Sequence, residues 1–226
     1  MKKLASLGIQ CALFLLPWSL RRVFLCYLFN FKIEKTAKIG YSLIDSWKLE
    51  MGANSRIGHL SIFKGLHLVI LEPKASIGNL NWFFAFPLTT KSSHFSDQLD
   101  RRPVLHMCKE SAITNRHIID CTDFVHIGEF STIAGFRSQL LTHSINLSES
   151  RQRSAPIQIG NFCFIGSGCI LLPGSKIPNY SVLGAGSVLT KAFNQDYSLY
   201  SGIPAKLVKP IDPTYNYFHR KIGYVI

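Results

Sequence analysis

Residues 159–191 read IGNFCFIGSGCILLPGSKIPNYSVLGAGSVLTK, and large aliphatics recur there every six residues, as Ile159, Ile165, Leu171, Ile177, Leu183 and Leu189. Four places after each of the first five stands a small residue: Cys163, Cys169, Ser175, Ser181 and Ser187. Glycine or proline follows most of the aliphatics, as Gly160, Gly166, Pro173, Pro178 and Gly184. A helix repeats about every 3.6 residues and a half-buried strand about every 2, so neither accounts for a period of six. A parallel β-helix does. Each hexad is then a short strand plus a turn; the aliphatic points into a narrow prism, and the tight corners admit only small side chains.

Working outward, the same rhythm begins at Ile33, Ala37 and Ile39 and returns at Met51, Ser55, Ile57 and Phe63, then at Leu71, Ala75 and Ile77. It resumes at Met107, Ser111, Ile113, His117 and Ile119, slips by two residues, and continues through Ile127, Ser131 and Ile133. Two stretches break it. Residues 79–104 run from aromatic to polar, and residues 140–156 are rich in Ser and Arg; insertions in repeat proteins collect on a functional face. The expected organisation is an all-β chain with three parts: a hydrophobic, helical N-terminal segment (1–32), a β-helix (33–210) carrying both excursions, and a basic, Tyr-rich tail (211–226).

Hydrophobic residues make up 47% of the 226-residue chain against 17% charged, which excludes a mainly disordered protein. The formal charge of +12 favours anionic partners such as lipid head groups or a phosphate-bearing cofactor. No nucleic-acid-binding module is legible, so nucleic acid is not expected as a partner. The six cysteines show neither CxxC nor zinc-finger spacing; a reducing compartment with no disulfide framework and no metal is expected. Residues 4–20 are at the short limit for a membrane span, and no small-x-small cleavage site precedes Arg21-Arg22. Two helical pieces broken near Pro17 fit better, the second lying either on a membrane surface or on its own domain.

His143 stands where a wall strand gives way to the second excursion, flanked by Thr142 and Ser144. A histidine with a near-neutral pKa at such a place can take a proton from an attacking hydroxyl. His117, at a small-residue corner, is its rival for that role or else a structural filler.

The pieces LTHSIN (141–146), IGNFCFIGSGCILLPG (159–174), GAGSVLTK (184–191) and SGIPAK (201–206) resemble the hexapeptide-repeat, left-handed β-helix acyltransferases. The nearest likeness is to sugar O-acetyltransferases of the maltose and galactoside type, and LPWSLRR (16–22) is similar to the opening of members that act on surface polysaccharides. The resemblance covers roughly residues 33–210. It implies acetyl-CoA as donor, direct transfer to a sugar or lipid-linked saccharide hydroxyl, and His143 as general base. It further implies Asn115 as an assisting residue at the acceptor and Ser167, Ala185, Thr190, Lys191 and Lys206 against CoA. A cytoplasmic homotrimer with active sites between subunits, in peripheral contact with the membrane, completes that picture. The acceptor-side excursions do not match the maltose type. Three other uses of such a chain stand beside it: N-acetylation of an amino-sugar nucleotide, a non-catalytic scaffold, and a zinc enzyme of the γ-carbonic-anhydrase kind. No two histidines lie five apart, as the last would need.

Overall fold

Hexads of this kind give strands only two or three residues long, because each must end at a corner before the next aliphatic can turn inward. In the computed structural model, which describes residues 3–89 and 92–225, these strands stack into a left-handed parallel β-helix. The first wall includes Lys32–Ile33, Val104–Met107, Val125–Ile127, Ile157–Ile159 and Lys176–Ile177. The second runs from Lys38–Ile39 through Ala112–Ile113, Thr132–Ile133 and Phe164–Ile165 to Val182–Leu183. The third includes Trp82–Phe84, Ile118–Asp120, Gln139–Leu140, Ile170–Leu171 and Val188–Leu189. Two long strands, Leu43–Met51 and Ile62–Leu71, pass from the third wall into the first without interruption, which explains why the hexad rhythm is blurred there.

The register gives the period its physical meaning. Ile159 lies beside Ile177, Ile165 beside Leu183 and Leu171 beside Leu189, each pair eighteen residues apart. Three hexads therefore close one coil, and all six side chains are fully buried. Each contributes about 1.5–3 kcal/mol relative to exposure. The corner residues Cys163, Cys169, Ser175, Ser181 and Ser187 are buried as well. Their polar atoms meet carbonyls of the next turn: Ser175 Oγ donates to Leu189 O (2.9 Å) and Cys163 Sγ to Pro178 O (3.0 Å). Between Met107 and Ile127, and between Ile113 and Ile133, the repeat lengthens to twenty residues, which is the slip seen in the sequence.

Both excursions leave at the corner from the third wall to the first. The expected bounds of the earlier one are too wide. Residues 79–84 still complete a coil, with Phe83 buried and stacked on Phe63 at 4.3 Å, and Val104 opens the next, so the excursion spans 85–103. The later one contains an antiparallel hairpin, His143–Asn146 paired with Arg151–Ser154. The two excursions pack on each other through Asp97 with Arg151 (3.0 Å) and Arg153, and through Ser154 N donating to Gln98 Oε1 (2.8 Å).

A β-helix has two open ends that present unpaired backbone groups, and this chain covers both. Two helices, α1 (Lys3–Leu13) and α2 (Trp18–Phe29), lie across the first coil. Gln10 acts there as a substitute strand residue. Its Nε2 donates to Ile44 O and its Oε1 accepts from Ile44 N, both at 2.9 Å. Trp18 Nε1 donates to Ala37 O (3.0 Å), Arg22 to Ile33 O (2.8 Å), and Arg21 to Ile39 O. Among the described residues no helix is long and apolar enough to cross a membrane. At the far end, Ser198–Gly202 and Ala205–Pro210 form a closing hairpin with Tyr200 buried beneath it. The tail folds back onto the second wall: Phe218 is buried, Tyr217 donates to Cys163 O (3.2 Å), and Gly223 N donates to Glu110 (2.8 Å).

Replacing Gln10 by Leu keeps the apolar packing but strands the N–H and C=O of buried Ile44. The expected loss is about 1–3 kcal/mol, read from the midpoint of denaturant unfolding. An unchanged midpoint would remove Gln10 from the cap.

Candidate functional site

The wall strand Ile118–Asp120 ends in a carboxylate where the sequence pattern calls for nothing charged, and the next coil places His143 directly against it. Asp120 is fully buried. Its Oδ2 accepts from His143 Nδ1 (2.6 Å), from the backbone N–H groups of Thr142 (2.9 Å) and His143 (3.1 Å), and from Thr142 Oγ1 (2.9 Å). Its Oδ1 accepts from Thr122 N (2.9 Å). Burial alone would push this carboxyl up, but the hydrogen bonds from His143 and Thr122 outweigh it and hold the group below its ordinary value. It is therefore a buried anion, secured by five donors.

That anion sets the state of the histidine. The hydrogen bond to Asp120 raises the His143 pKa, against burial and the charge of Arg101. In the neutral imidazole the proton then sits on Nδ1, facing Asp120, and the Nε2 lone pair is left as an acceptor. The side chain is one-third exposed, so Nε2 can meet a solute. The ring of Phe95 stands edge-on at 6.0 Å. Arg101, itself 6% exposed, stacks on Phe95 at 4.6 Å and donates to Phe86 O (2.6 Å) and Thr122 O (2.9 Å), tying excursion 85–103 to the corner that holds Asp120. A groove of about 470 Å³ runs between the excursions, lined by His94, Phe95, Asp97, Ile145, Arg151 and Gln152 among others; Phe95 connects it to His143, which does not itself line it. A cavity of about 630 Å³ lies elsewhere, between residues 16–21 and the second wall, and it does not include His143 either.

The sequence-derived candidates fall into three places. His117 is buried, receives Ser138 N on Nδ1 (3.1 Å) and faces Thr114 Oγ1 with Nε2 (3.0 Å); burial lowers its pKa to about 4. It is a neutral corner filler. Asn115 is not brought to His143. Its Oδ1 accepts from Asn79 N (2.7 Å), one rung of a ladder in which Asn79 Oδ1 serves His59 N (2.7 Å), and it lines the cavity by the second wall. The residue beside His143 is Asp120, which sequence reasoning missed. The available signal was a carboxylate immediately after the inward-pointing Ile119, at the two-residue slip.

The remaining candidates bracket the third wall. Ser167 and Ala185 stand at the corner where the second wall leads into the third, in successive coils. Backbones approach closely there: a Cβ on Gly135 would lie 1.7 Å from Ser167 Oγ, and one on Gly166 would lie 2.6 Å from Ala185 N. Gly186, at φ +69°, leaves the same corner bare. Thr190 and Lys191 occupy the opposite corner of that wall, the one that two coils earlier carries His143, and both are exposed. Lys191 Nζ lies 5.5 Å from the Phe193 ring centroid. Lys206 is exposed on the closing hairpin, opposite Ser201.

Comparison with known proteins places the most regular repeats first. Residues 156–191 match the bacterial transferase hexapeptide (six repeats) family. A Staphylococcus aureus (strain Mu50) protein that carries an acetyltransferase name is 40% identical over 74 residues, 31% of this chain and 37% of that one. Galactoside O-acetyltransferase of Escherichia coli (strain K12) is 35% identical over 68 residues, 30% and 33% of the two chains. The similarity thus spans about a third of these relatives' length. Among solved structures, the polysialic acid O-acetyltransferase OatWY superposes with a TM-score of 0.58 at 18% identity, covering 80% of this chain and 84% of that one, a likeness of fold.

The charge pairing at His143 is open to direct measurement. Followed by NMR, the His143 ring should titrate above an ordinary histidine, at about 6.5, and Asp120→Asn should lower its pKa, since the anion that favours the imidazolium is gone. An unmoved titration would show that Asp120 does not govern the ring.

Proposed function

We propose that this chain, whose repeat segment is that of the bacterial transferase hexapeptide family, is an acetyl-CoA-dependent O-acetyltransferase acting on a sugar hydroxyl in surface polysaccharide biosynthesis. The observation that carries this reading is the pair His143–Asp120, in which the Nδ1 bond leaves Nε2 as the acceptor, with Phe95 standing between the ring and a polar groove. His143 Nε2 takes the proton of the acceptor hydroxyl as its oxygen attacks the thioester carbonyl. The C–S bond breaks, and the imidazolium returns the proton to the departing CoA thiolate. Asp120 holds the ring in the tautomer that leaves Nε2 vacant and offsets the charge that the ring acquires.

Direct transfer is supported by the state of the thiols. Cys163 and Cys169 are buried in corners, and burial pushes the Cys163 thiol up to about 12, so neither is a thiolate at neutral pH. For the donor, the bare corner at Ser167 and Ala185 offers backbone to a long, thin ligand, while Lys191 and Lys206 supply point charges for phosphates. The acceptor class rests on the local similarity to a galactoside O-acetyltransferase and on the groove, where Asp97, Arg151 and Gln152 can bond hydroxyls. Assembly as a homotrimer in the cytoplasm, with Leu20, Val23, Phe24 and Tyr27 of α2 meeting the membrane where lipid-linked sugars reside, belongs to the same reading; these side chains are exposed. Asn115, held in its corner ladder, takes no part at His143 in this mechanism.

His143→Ala should lose about 10²–10⁴ in turnover, the range for a lost general base, while binding acetyl-CoA as well as the parent. A fully active variant would sink the mechanism. In calorimetric titration with acetyl-CoA, Lys191→Ala and Lys206→Ala should each weaken binding about tenfold, or about 1.4 kcal/mol; equal affinities would move the donor away from this wall.

A further inference from the structure

On the outer face of the first wall, away from the His143 corner, coil stacking gathers a second set of reactive side chains that the mechanism does not use. His106 and His126 occupy facing positions in adjacent strands, Val104–Met107 and Val125–Ile127. Cys108 follows the first of these strands, and its Sγ lies 4.0 Å from His106 Nε2 and 3.9 Å from His126 Nε2. The donor atoms of the three residues all lie within 4.8 Å of one another. Glu72, at the end of the preceding coil, brings Oε1 to 2.8 Å from His106 Nε2, while its Oε2 accepts from Lys109 N (2.9 Å).

The geometry points to a metal site: His106, Cys108 and His126 bind one divalent transition cation of the zinc class, and Glu72, held against His106 outside that three-residue set, is the nearest carboxylate for a fourth position. Two imidazoles, one thiolate and one carboxylate are the ligand types that such a cation selects over magnesium or calcium. Their charge also fits, since one thiolate and one carboxylate neutralise a 2+ ion. The spacings of 3.9 and 4.0 Å, within a set that spans up to 4.8 Å, are longer than ligand–ligand edges around a bound metal, so the side chains close in when the ion binds. Glu72 is already anchored by Lys109 N, the kind of outer contact that orients a ligating carboxylate.

Binding is proton exchange without redox chemistry. The Cys108 S–H bond breaks, the sulfur's electron pair goes to the metal, and the proton leaves to solvent. Cys108 is buried, with the carboxylates of Glu72 and Glu129 nearby. A cation among those groups supplies the missing positive charge. The site would tie three successive coils together on one wall.

The test uses tag-free, reduced, full-length protein titrated with cobalt(II), whose spectrum reports its ligands. The expected result is a thiolate-to-cobalt charge-transfer band with tetrahedral d–d bands, saturating at one cobalt per chain and displaced by zinc(II). Cys108→Ser should abolish the charge-transfer band. His126→Gln, at a partly exposed position, should retain that band but weaken affinity about tenfold or more. Zinc(II) should raise the thermal midpoint of the parent and leave that of Cys108→Ser unmoved. Absence of stoichiometric uptake by the parent, or equal affinity in His126→Gln, would overturn the site and leave an ordinary His106–Glu72 ion pair beside a buried thiol.

Discussion

Everything in this molecule depends on one constraint, the vertical stacking of each coil on the next. Backbone N–H groups of one coil donate to carbonyls of the following one: Gly160 N to Ile177 O, Gly166 N to Leu183 O and Gly184 N to Tyr200 O, at 2.8–2.9 Å. Once this register is set, side chains a full coil apart in sequence become neighbours in space. Aliphatics stack on aliphatics in the prism, Asn115 stacks with Asn79, and Phe130, Phe162, Tyr180 and Tyr197 form a ladder with ring centroids 4.6–5.5 Å apart. The repeat is therefore a positioning device as well as a core. Side chains at one corner of successive coils become near neighbours, which neither a helix surface nor a loop would secure at so small a cost in chain entropy.

The His143–Asp120 pair uses that device at a place where the repeat is broken. Asp120 ends a wall strand and Thr142–His143 leave the next coil at the same corner, so stacking brings carboxylate and imidazole to 2.6 Å. Two further donors from the same turn, the backbone N–H groups of Thr142 and His143, reach the carboxylate only because the chain turns outward there into the hairpin. The excursion and the pair are thus one construction. The aliphatic prism tolerates a buried anion at this corner because the chain's departure supplies the hydrogen bonds that a continuous coil would have spent on the next strand.

How much of this is legible in the sequence follows from the same constraint. The six-residue period is local, so the β-helix, the buried aliphatics and the small corners from Cys163 to Ser187 can be read directly. Departures from eighteen residues per coil are not local. With coils of twenty residues and an inserted excursion, no spacing in the sequence shows that Asp120 meets His143, twenty-three positions on, or that Asn115 spends its carboxamide on Asn79. The N-terminal segment is a third case. Its hydrophobicity is plain, but only the structure shows that Gln10, Trp18, Arg21 and Arg22 are spent on the first coil's open edge, while Leu20, Val23, Phe24 and Tyr27 face outward. Of the two expectations for that segment, packing on its own domain is what these hydrogen bonds show.

The histidines show the same logic at its sharpest. Read along the chain, His106, Cys108 and His126 match no metal pattern, because ligand signatures are written for loops and helices whose spacing is short. A β-helix with a twenty-residue coil converts a separation of twenty into direct adjacency, as His106 beside His126 shows. Buried His117, by contrast, is surrounded by hydrogen-bond partners from its own corner and stays neutral. What separates three kinds of histidine in this chain is therefore the company supplied by the neighbouring coil. A buried carboxylate faces His143, hydroxyl and backbone groups surround His117, and a thiol with a second imidazole faces His106 and His126. Residue type and sequence spacing are alike uninformative on that point; coil length decides it.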